Sequence, residues 1–420
     1  MSDTRETLRR GIGDFAPRPD GYERLLQLRD RKRRNERIMA GALAFLIVLI
    51  GALAFVGALR SAPRPMNDGE GPSNGAVAFS AVDLATGVPD SIPTRGDPRD
   101  IYLTLPGHDP RRIAGSERDG IDQGCPTFSP DGTKLAYVEG PGGGDTAVVV
   151  VELDGDGVPS GTPAQVIGNT NGALAGCPQW SPDGSRLAII EDEYGIRIAT
   201  LDGRSHAVGF GSFSPGYREG EREFAWSPDG STIAVIDAGS VWLVPVDGGE
   251  VRTLWVPAGF QIARAIAWAP SGLRLAIGGS VGSADSCCDL HRPFLEIVDA
   301  EEGSRAALST AGEAGGEVID DLIWLPGVQR ILASYSKSGP VLADPTGAAR
   351  TAVLDLDFRL ASSLGVSPDG RWFLYVAYDG DSYAVTAEPL DGSSALVLYS
   401  PWTFGLYTNV GDFSWQPIYP

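Results

Sequence analysis

Histidine and basic side chains are scarce in this chain of 420 residues. It has three histidines, and 34 lysines and arginines stand against 54 aspartates and glutamates, which gives a formal net charge of −20. So few histidines leave little material for a hydrolytic triad. The acidic excess argues against nucleic acid and anionic polymers as ligands, because like charges repel. The charge permits cations, basic peptides and neutral ligands as partners.

One long apolar run stands out in this polar chain. Residues 38–59 contain no charge and no proline, and as a helix they would be about 33 Å long, enough to cross a hydrocarbon core of roughly 30 Å. The 18 residues before this run carry seven basic side chains and the 18 after it carry two. The positive-inside rule therefore predicts a single-pass signal anchor in the cell membrane, with the N-terminus in the cytoplasm. A cleaved signal peptide is the alternative, but no clean A-x-A site follows.

Charge divides the chain at the same run. Residues 1–37 carry 11 basic and 7 acidic groups, net +4, so the rest of the chain carries −24. We interpret residues 1–37 as a cytoplasmic basic segment that sets topology and contacts lipid headgroups; docking of a cytosolic partner is the alternative. Residues 60–75, with several Pro, Gly and Ser, are predicted to be a flexible stalk. Residues 76–420 are predicted to form the extracytoplasmic domain.

A short phrase built on Ser-Pro-Asp-Gly recurs along this domain. Four copies are complete, and three weaker copies contain Trp268, Trp324 and Trp415. The steps between their prolines are 52, 46, 42, 56, 42 and 49 residues, which is the period of a propeller blade. An apolar residue, mostly tryptophan, stands two residues before each proline, and another follows five residues after the first six. Each repeat is therefore predicted to be a strand, a tight turn and a second strand.

The four complete copies are predicted to be structural turns. Serine, proline and aspartate suit the early positions of a type I turn, and glycine takes the strained exit. The residues are Ser129, Pro130, Asp131 and Gly132; Ser181, Pro182, Asp183 and Gly184; Ser227, Pro228, Asp229 and Gly230; and Ser367, Pro368, Asp369 and Gly370.

The last repeat is incomplete, which bears on ring closure. Six prolines begin complete repeats, whereas the seventh, Pro417, has three residues after it. Strands predicted near the start of the domain, at residues 76–82, 101–105 and 111–114, would supply what this repeat lacks. The sequence thus predicts an all-β fold, a seven-bladed β-propeller of four-stranded antiparallel blades closed by the C-terminal strand. Six blades is the alternative, if one weak copy is an insertion.

The aromatic-Ser-Pro-Asp-Gly turn resembles the repeats of TolB-type propellers, relatives of the WD-repeat propellers, over about residues 76–420. The resemblance implies the propeller fold. It is a weak guide to function, since such repeats occur in envelope scaffolds, in sensor ectodomains and in the substrate-gating propellers of some peptidases. The predicted membrane segment departs from TolB itself, so TolB's partners are not carried over.

The four cysteines are predicted to be oxidised, because disulfides persist outside the cytosol. Cys125 and Cys177 each stand in Gly-Cys-Pro, five residues before the turn prolines of successive repeats. Equivalent positions on adjacent blades are neighbours, so a Cys125–Cys177 bridge is predicted. Cys287 and Cys288 are adjacent and are predicted to form a vicinal disulfide; a metal cluster that adds the nearby Asp and His is the alternative.

Catalytic signatures are weak. Residues 278–282 match G-x-S-x-G, but a nucleophile elbow needs a helix after it, and here a loop of Gly, Ser, Asp and Cys follows. Glu223, Asp321 and Asp412 occupy the position of Cys125 in their own repeats. That position is expected near the channel mouth, where solvated rim charge is the simplest interpretation.

The sequence therefore predicts a non-enzymatic scaffold of the cell envelope without cofactor or metal. Its predicted partners are the membrane and an extracytoplasmic protein or a neutral or cationic ligand, with no nucleic acid at the propeller. Two alternatives stay open. One is a single-pass signalling receptor with a propeller sensor. The other is an enzyme at the channel mouth, a glycan or peptide hydrolase or lyase.

Overall fold

The computed structural model describes parts of the compact unit Asp68–Pro420. The described residues are 73–82, 99–105, 108, 110–114, 121–141, 146–154, 157–168, 174–191, 195–208, 223–259, 261–282, 292–308, 317–336, 339–347, 350–352, 361–378, 383–391, 396–399 and 411–418. The predicted cytoplasmic and membrane segments and residues 60–72 of the predicted stalk lie outside these ranges, as do Cys287 and Cys288. Residues 73–75, predicted as the end of the stalk, belong instead to the first described strand, Ser73–Val82. Within the ranges, no helix is long and apolar enough to cross a bilayer.

The described strands form seven four-stranded antiparallel sheets, which we number as blades 1 to 7. Blade 1 contains β1 (Ser73–Val82), β2 (Arg99–Thr104), β3 (Arg111–Ala114) and the C-terminal β28 (Gly411–Ile418). Blade 2 contains β4 (Ile121–Phe128), β5 (Lys134–Pro141), β6 (Ala147–Leu153) and β7 (Pro159–Ile167). Blade 3 contains β8 (Leu174–Trp180), β9 (Arg186–Glu191), β10 (Gly195–Thr200) and β11 (Ser205–Val208). Blade 4 contains β12 (Phe224–Trp226), β13 (Thr232–Asp237), β14 (Ser240–Pro245) and β15 (Arg252–Trp255). Blade 5 contains β16 (Gln261–Trp268), β17 (Arg274–Val281), β18 (Arg292–Asp299) and β19 (Arg305–Leu308). Blade 6 contains β20 (Ile319–Trp324), β21 (Ile331–Tyr335), β22 (Gly339–Ala343) and β23 (Arg350–Ala352). Blade 7 contains β24 (Ala361–Val366), β25 (Trp372–Tyr378), β26 (Tyr383–Pro389) and β27 (Leu396–Tyr399).

The prediction of a seven-bladed propeller is confirmed, and blade 1 joins the two ends of the domain. Its strand order is β28-β1-β2-β3, with Val77 opposite Trp415. The side chain of Gln416 extends this pairing to blade 2, because its Nε2 donates to the Gly132 carbonyl at 2.8 Å while its Oε1 accepts the Ala76 N–H at 3.2 Å. The C-terminal strand therefore ties β1 and the neighbouring blade together.

The core lies between blades. Buried apolar side chains of the described residues form seven clusters, one at each interface of adjacent blades. In β13, Ile233 and Val235 belong to the cluster shared with blade 3, whereas Ala234 and Ile236 belong to the cluster shared with blade 5. Because side chains alternate along a strand, a blade held between two others must be apolar on both faces.

The first strand of each blade is the innermost. β28 contacts β4, β4 contacts β8, and β16 contacts β20, so these strands form a ring around the propeller axis. Each Ser-Pro-Asp-Gly turn lies at the end of an inner strand. Turns between the third and fourth strands lie beside them, as the bond from the Leu153 N–H to the Thr133 carbonyl at 2.8 Å shows. We call this side of the propeller the turn face.

Within a Ser-Pro-Asp-Gly turn, the polar side chains bond one another. In blade 3 the Gly184 N–H donates to the Ser181 carbonyl at 2.8 Å. The Ser181 hydroxyl donates to Asp183 Oδ1 at 2.6 Å, and Asp183 also accepts the N–H and the hydroxyl of Ser185. The Ser181 bond is the main reason that the pKa of Asp183 is lowered, followed by those from Ser185. The turn therefore holds an ionised carboxylate at neutral pH.

Successive turns also stack on each other. Gly184 and Gly230 have φ of 68° and 69°, a backbone conformation that favours glycine. A Cβ on Gly184 would lie 3.5 Å from Cδ of Pro130, and one on Gly230 would lie 3.6 Å from Cδ of Pro182. In both cases the proline belongs to the turn of the preceding blade. The glycine of each turn thus rests against the proline before it, around the turn face.

The repeated tryptophans add hydrogen bonds between blades. In blades 3, 4 and 5, the indole N–H donates to the carbonyl that lies three residues before the turn proline of the preceding blade. The pairs are Trp180 with Thr127 at 3.0 Å, Trp226 with Gln179 at 3.3 Å and Trp268 with Ala225 at 3.0 Å. One residue therefore supplies both apolar packing and a polar tie.

Candidate functional site

The inner wall of the ring carries a disulfide between two blades. Cys125 of β4 and Cys177 of β8 are joined, with an S–S distance of 2.12 Å and a Cα–Cα distance of 4.9 Å. The predicted Cys125–Cys177 bridge is therefore confirmed. It fastens the inner strands of blades 2 and 3 to each other. The predicted Cys287–Cys288 bridge stays a prediction, because both residues lie outside the described part of the chain.

The inner strands are irregular at the level of this disulfide. Register shifts interrupt the pairing of β4, β8, β16, β20 and β24 with their neighbours, and that of β1 with β28. Such a bulge inserts an extra residue and re-aims side chains. On β16 the extra residue is Arg264, between Ala263 and Ala265, and on β20 it is Asp320. The repeated bulge therefore brings charged side chains to the inner wall.

Four charged residues of blades 4, 5 and 6 interact on this wall, and we call them the wall arc: Glu223, Arg264, Asp320 and Asp321. Glu223 precedes β12 and accepts the backbone N–H of Ile266. Burial raises the pKa of Glu223 well above its usual value, and the charge of Asp321 raises it further. Asp320 is exposed by surface area, yet partial desolvation of its carboxyl group raises its pKa. The charge of Arg264 opposes this rise in pKa.

The structure brings together two of the three carboxylates predicted near the channel mouth. Glu223 and Asp321 interact across blade 5, whereas Asp412 lies in β28 with a side chain outside the described set. Sequence reasoning missed Arg264 and Asp320. Each stands one residue before the predicted position in its repeat, and a bulge that is invisible in the repeat spacing makes this neighbour face the wall.

A carboxyl group with a raised pKa could act as a proton donor, but the wall arc engages its own charges. Arg264 lies close enough to Asp320 to lower its pKa, and the backbone of β16 holds Glu223. Among the described residues, no group of three or more His, Cys, Asp or Glu is arranged to hold a metal ion.

The G-x-S-x-G match is not a nucleophile elbow. Residues 278–281 belong to β17 and are paired on both sides in the sheet. Ser280 lies opposite Ile262 and Pro293 in the sheet. It is fully buried, and its hydroxyl has no hydrogen-bond partner. A strained turn that would expose this hydroxyl is absent from β17.

Two clefts lie away from the axis. The larger, of about 890 Å³, lies between blades 1 and 2 and is lined in part by Arg112, Gln123, Glu139 and Gln165. Gln123 is buried and its Nε2 approaches Glu139 at 3.5 Å. The smaller, of about 410 Å³, borders blade 3, where Arg186 pairs with Asp247 at 2.8 Å. Neither cleft was predicted, because each depends on how two blades fit together.

No protein-family model matches the sequence, and no curated protein matches it. Solved structures do resemble it. Acinetobacter baumannii TolB is 17% identical with a TM-score of 0.46, over 81% of this chain and 66% of that protein. A putative TolB from Agrobacterium tumefaciens is 19% identical with a TM-score of 0.43, over 62% and 94%. A chain of a nidogen/laminin complex is 16% identical with a TM-score of 0.42, over 64% and 95%. The likeness is one of architecture, and the chain spans just under two thirds of the first of these proteins.

Proposed function

We propose that this chain is a membrane-anchored, extracytoplasmic β-propeller that binds a protein partner on its rigid faces and catalyses no reaction. The observation that carries the proposal is the Cys125–Cys177 disulfide in the inner wall. Such bonds persist in oxidising compartments outside the cytosol. The seven basic residues before residues 38–59, against two after them, support the same placement.

The packing supports a binding role. Stacked turns, inter-blade indole bonds and a core at each described blade interface hold the two faces in fixed positions. A rigid surface loses little conformational entropy on association. Within the described ranges, the groups that would suggest catalysis are otherwise engaged, since Ser280 is sealed in β17 and Glu223 is held by the Ile266 N–H.

External protease on intact cells tests the location. Cleavage in residues 60–75 should release a fragment of about 345 residues, and protection of the propeller would overturn the placement.

Photo-crosslinking in cells tests the binding. A photo-reactive residue at exposed Asp131 or Asp183 of the turn face, or at exposed Ala238 on the opposite face, should give protein adducts on one face. Absence of adducts on both faces would overturn the scaffold function.

A further inference from the structure

On the turn face, the interface between blades 5 and 6 differs from the interfaces that join blades 2, 3, 4 and 5. We call it the seam and define it as residues 269–274 and 325–330, the two turns that border it. Blade 5 has Ser271 where the complete turns have aspartate, and blade 6 has Gly327 at that position. Both turns therefore lack the carboxylate that organises the four complete turns.

Turn stacking is interrupted at the seam. Gly272 still lies near Pro228, with a built Cβ 3.8 Å from its Cδ. In blade 6, however, Val328 occupies the glycine position, and positive φ moves to Gly327, at 71°. A Cβ on Gly327 would meet nothing within 4 Å. Blade 6 therefore lacks the glycine that would rest on Pro270, and in this sense the stack of glycine on proline is open at this point.

The indole bond is also missing at the seam. By the spacing of the other repeats, Trp324 should donate to the carbonyl of Ala267. Its Nε1 is buried and has no hydrogen-bond partner. Instead, the guanidinium of Arg274 lies over the Trp324 ring, 5.8 Å from its centroid. This places the basic side chain of the blade 5 turn against the core, and it leaves the aliphatic residue before it at the surface.

Two aliphatic side chains are exposed in the seam. Leu273 is 65% exposed and Val328 is 46% exposed. In the complete turns of blades 2, 3 and 4, the position of Leu273 is held by Thr133, Ser185 and Ser231, whose hydroxyls bond the turn aspartate. The seam thus replaces a polar position by an apolar one and places a second aliphatic residue in the neighbouring turn.

Carboxylates flank Leu273. The Leu273 carbonyl accepts the Ala300 N–H at 2.9 Å, so the turn at residues 299–303 lies directly against it. Asp299 accepts the N–H groups of Glu301 and Glu302, which lowers its pKa and keeps it ionised. The Glu301 and Glu302 side chains are exposed, and neither has an ion pair among the described residues. Their negative charge is available to a partner.

We propose that the seam is the docking site of the propeller for an extended protein segment that carries an apolar side chain next to basic residues. The apolar side chain packs on Leu273 and Val328, and the basic residues face Glu301 and Glu302. The proposal rests on the proposed binding function and names the part of the turn face that performs it. Charge complementarity selects the partner, because an acidic segment would be repelled by the flanking turn.

Peptide binding to the full-length chain tests this proposal. The probes are 12-residue peptides with one leucine or phenylalanine and with lysine and arginine, serine, or aspartate and glutamate around it. The basic peptides should bind at least tenfold more tightly than the acidic ones. L273D combined with V328D should weaken that binding at least tenfold, and E301K combined with E302K should reverse the charge preference. V256D is the matched control, because Val256 is 53% exposed but lies on the opposite face; it should leave binding within about twofold.

Equal loss of binding in V256D, or an unchanged preference in the E301K/E302K variant, would overturn the proposal. Sedimentation would also overturn it if the chain forms a dimer that L273D/V328D dissociates, since the occupant would then be a second copy. Crosslinks in cells at Asp131 or Asp183 without any at Glu301 would reject the seam and leave the scaffold function standing. Absence of crosslinks on both faces would reject the scaffold function itself.

Discussion

Blades 2 to 4 and blades 5 and 6 are built from the same repeat but are joined differently on the turn face. Between blades 2, 3 and 4, glycine rests on proline and each tryptophan bonds the preceding blade. Between blades 5 and 6, both ties are missing. The apolar cluster at this interface and the contact of β16 with β20 nevertheless remain. Apolar packing therefore suffices to join two blades, and the Ser-Pro-Asp-Gly turn is an additional device.

The difference shows where a departure from the repeat changes the chemistry of the protein surface. Losing the turn aspartate removes the reason for a hydroxyl three residues after the proline. At the seam this position became Leu273, which is exposed. A weak repeat thus marks the site at which the turn face changes chemistry, while the blade beneath it keeps its strands.

Removing the closing strand should have the largest effect. Deletion of residues 412–420 removes Trp415, which is buried in the cluster shared by blades 1 and 7. It also removes Gln416, whose side chain bonds the Gly132 carbonyl and the Ala76 N–H. Burial of one such aromatic side chain contributes about 3 kcal/mol, a large share of a typical stability of about 5–15 kcal/mol. We expect the variant not to give a cooperative melting transition in circular dichroism. Melting like the intact chain would contradict closure through β28.

Loss of the wall disulfide should come next. C125S opens a loop with a sequence separation of 52 residues, which in the chain-entropy model corresponds to about 4 kcal/mol. Thermal unfolding should shift down by several degrees, and reducing agent should lower the melting temperature of the wild type but not of C125S. A C125S chain as stable as the wild type would show that the apolar cluster, the stacked turn and the indole bond hold blades 2 and 3 together without the disulfide.

Much of this architecture could be predicted from the sequence, because the repeat records it directly. The repeated turns and the apolar residue two positions before each turn proline predicted the number of blades. The two Gly-Cys-Pro sequences predicted the disulfide. Four strands per blade were predicted, but the positions of the fourth strands β11, β19 and β23 were not identified, because these short outer strands carry no repeated residue. The wall arc was half predicted: Glu223 and Asp321 follow from repeat position, whereas Arg264 and Asp320 depend on bulges. The weak turns of blades 5 and 6 are visible in the sequence, but the exposure of Leu273 and Val328 and the unpaired Trp324 indole required the structure.

The wall arc should give a pH-dependent effect across blades 4 to 6. The pKa of Glu223 is raised in the folded chain by burial and by Asp321, so the wild type loses stability as pH rises from about 4.3 through the folded value. E223Q removes this cost and should be the more stable chain at pH 8, by about 1.4 kcal/mol for each unit of pKa elevation. The advantage should vanish below about pH 4. Urea titrations at several pH values measure it, and D321N should reduce it; a pH-independent difference would contradict the coupling.

A matched pair of tryptophan variants sharpens the comparison of blades 2 to 4 with blades 5 and 6. W180F and W324F remove the same volume from buried positions. W180F also removes the hydrogen bond to the Thr127 carbonyl, whereas the Trp324 indole has no such bond to lose. We expect W180F to destabilise the chain by about 1–2 kcal/mol more than W324F. Equal free energies of unfolding in urea would show that the indole bond between blades 2 and 3 contributes nothing to stability.

Exchanging turn residues between blades 5 and 3 should have the smallest effect on stability, and it tests directly whether these residues determine peptide binding. S271D with L273S gives blade 5 a turn carboxylate and a hydroxyl to bond it. This carboxylate can accept the bonds that Asp183 accepts from the N–H and hydroxyl of Ser185, but not the Ser181 bond, because blade 5 has Ala269 at that position. We expect a gain of about 0.5–1 kcal/mol together with loss of basic-peptide binding. D183S with S185L is the reverse exchange in blade 3 and should cost about 1–2 kcal/mol.

The cost of the reverse exchange should shrink as pH falls. The pKa of Asp183 is lowered in the folded chain, so its contribution is present above the unfolded value of about 3.9 and is lost as pH falls through the folded value. If D183S/S185L acquires basic-peptide binding, exposed leucine on the turn face is sufficient for docking wherever it stands. If it does not, docking needs the open stack and the flanking Glu301 and Glu302 as well, and the seam is a site because its three departures from the pattern coincide.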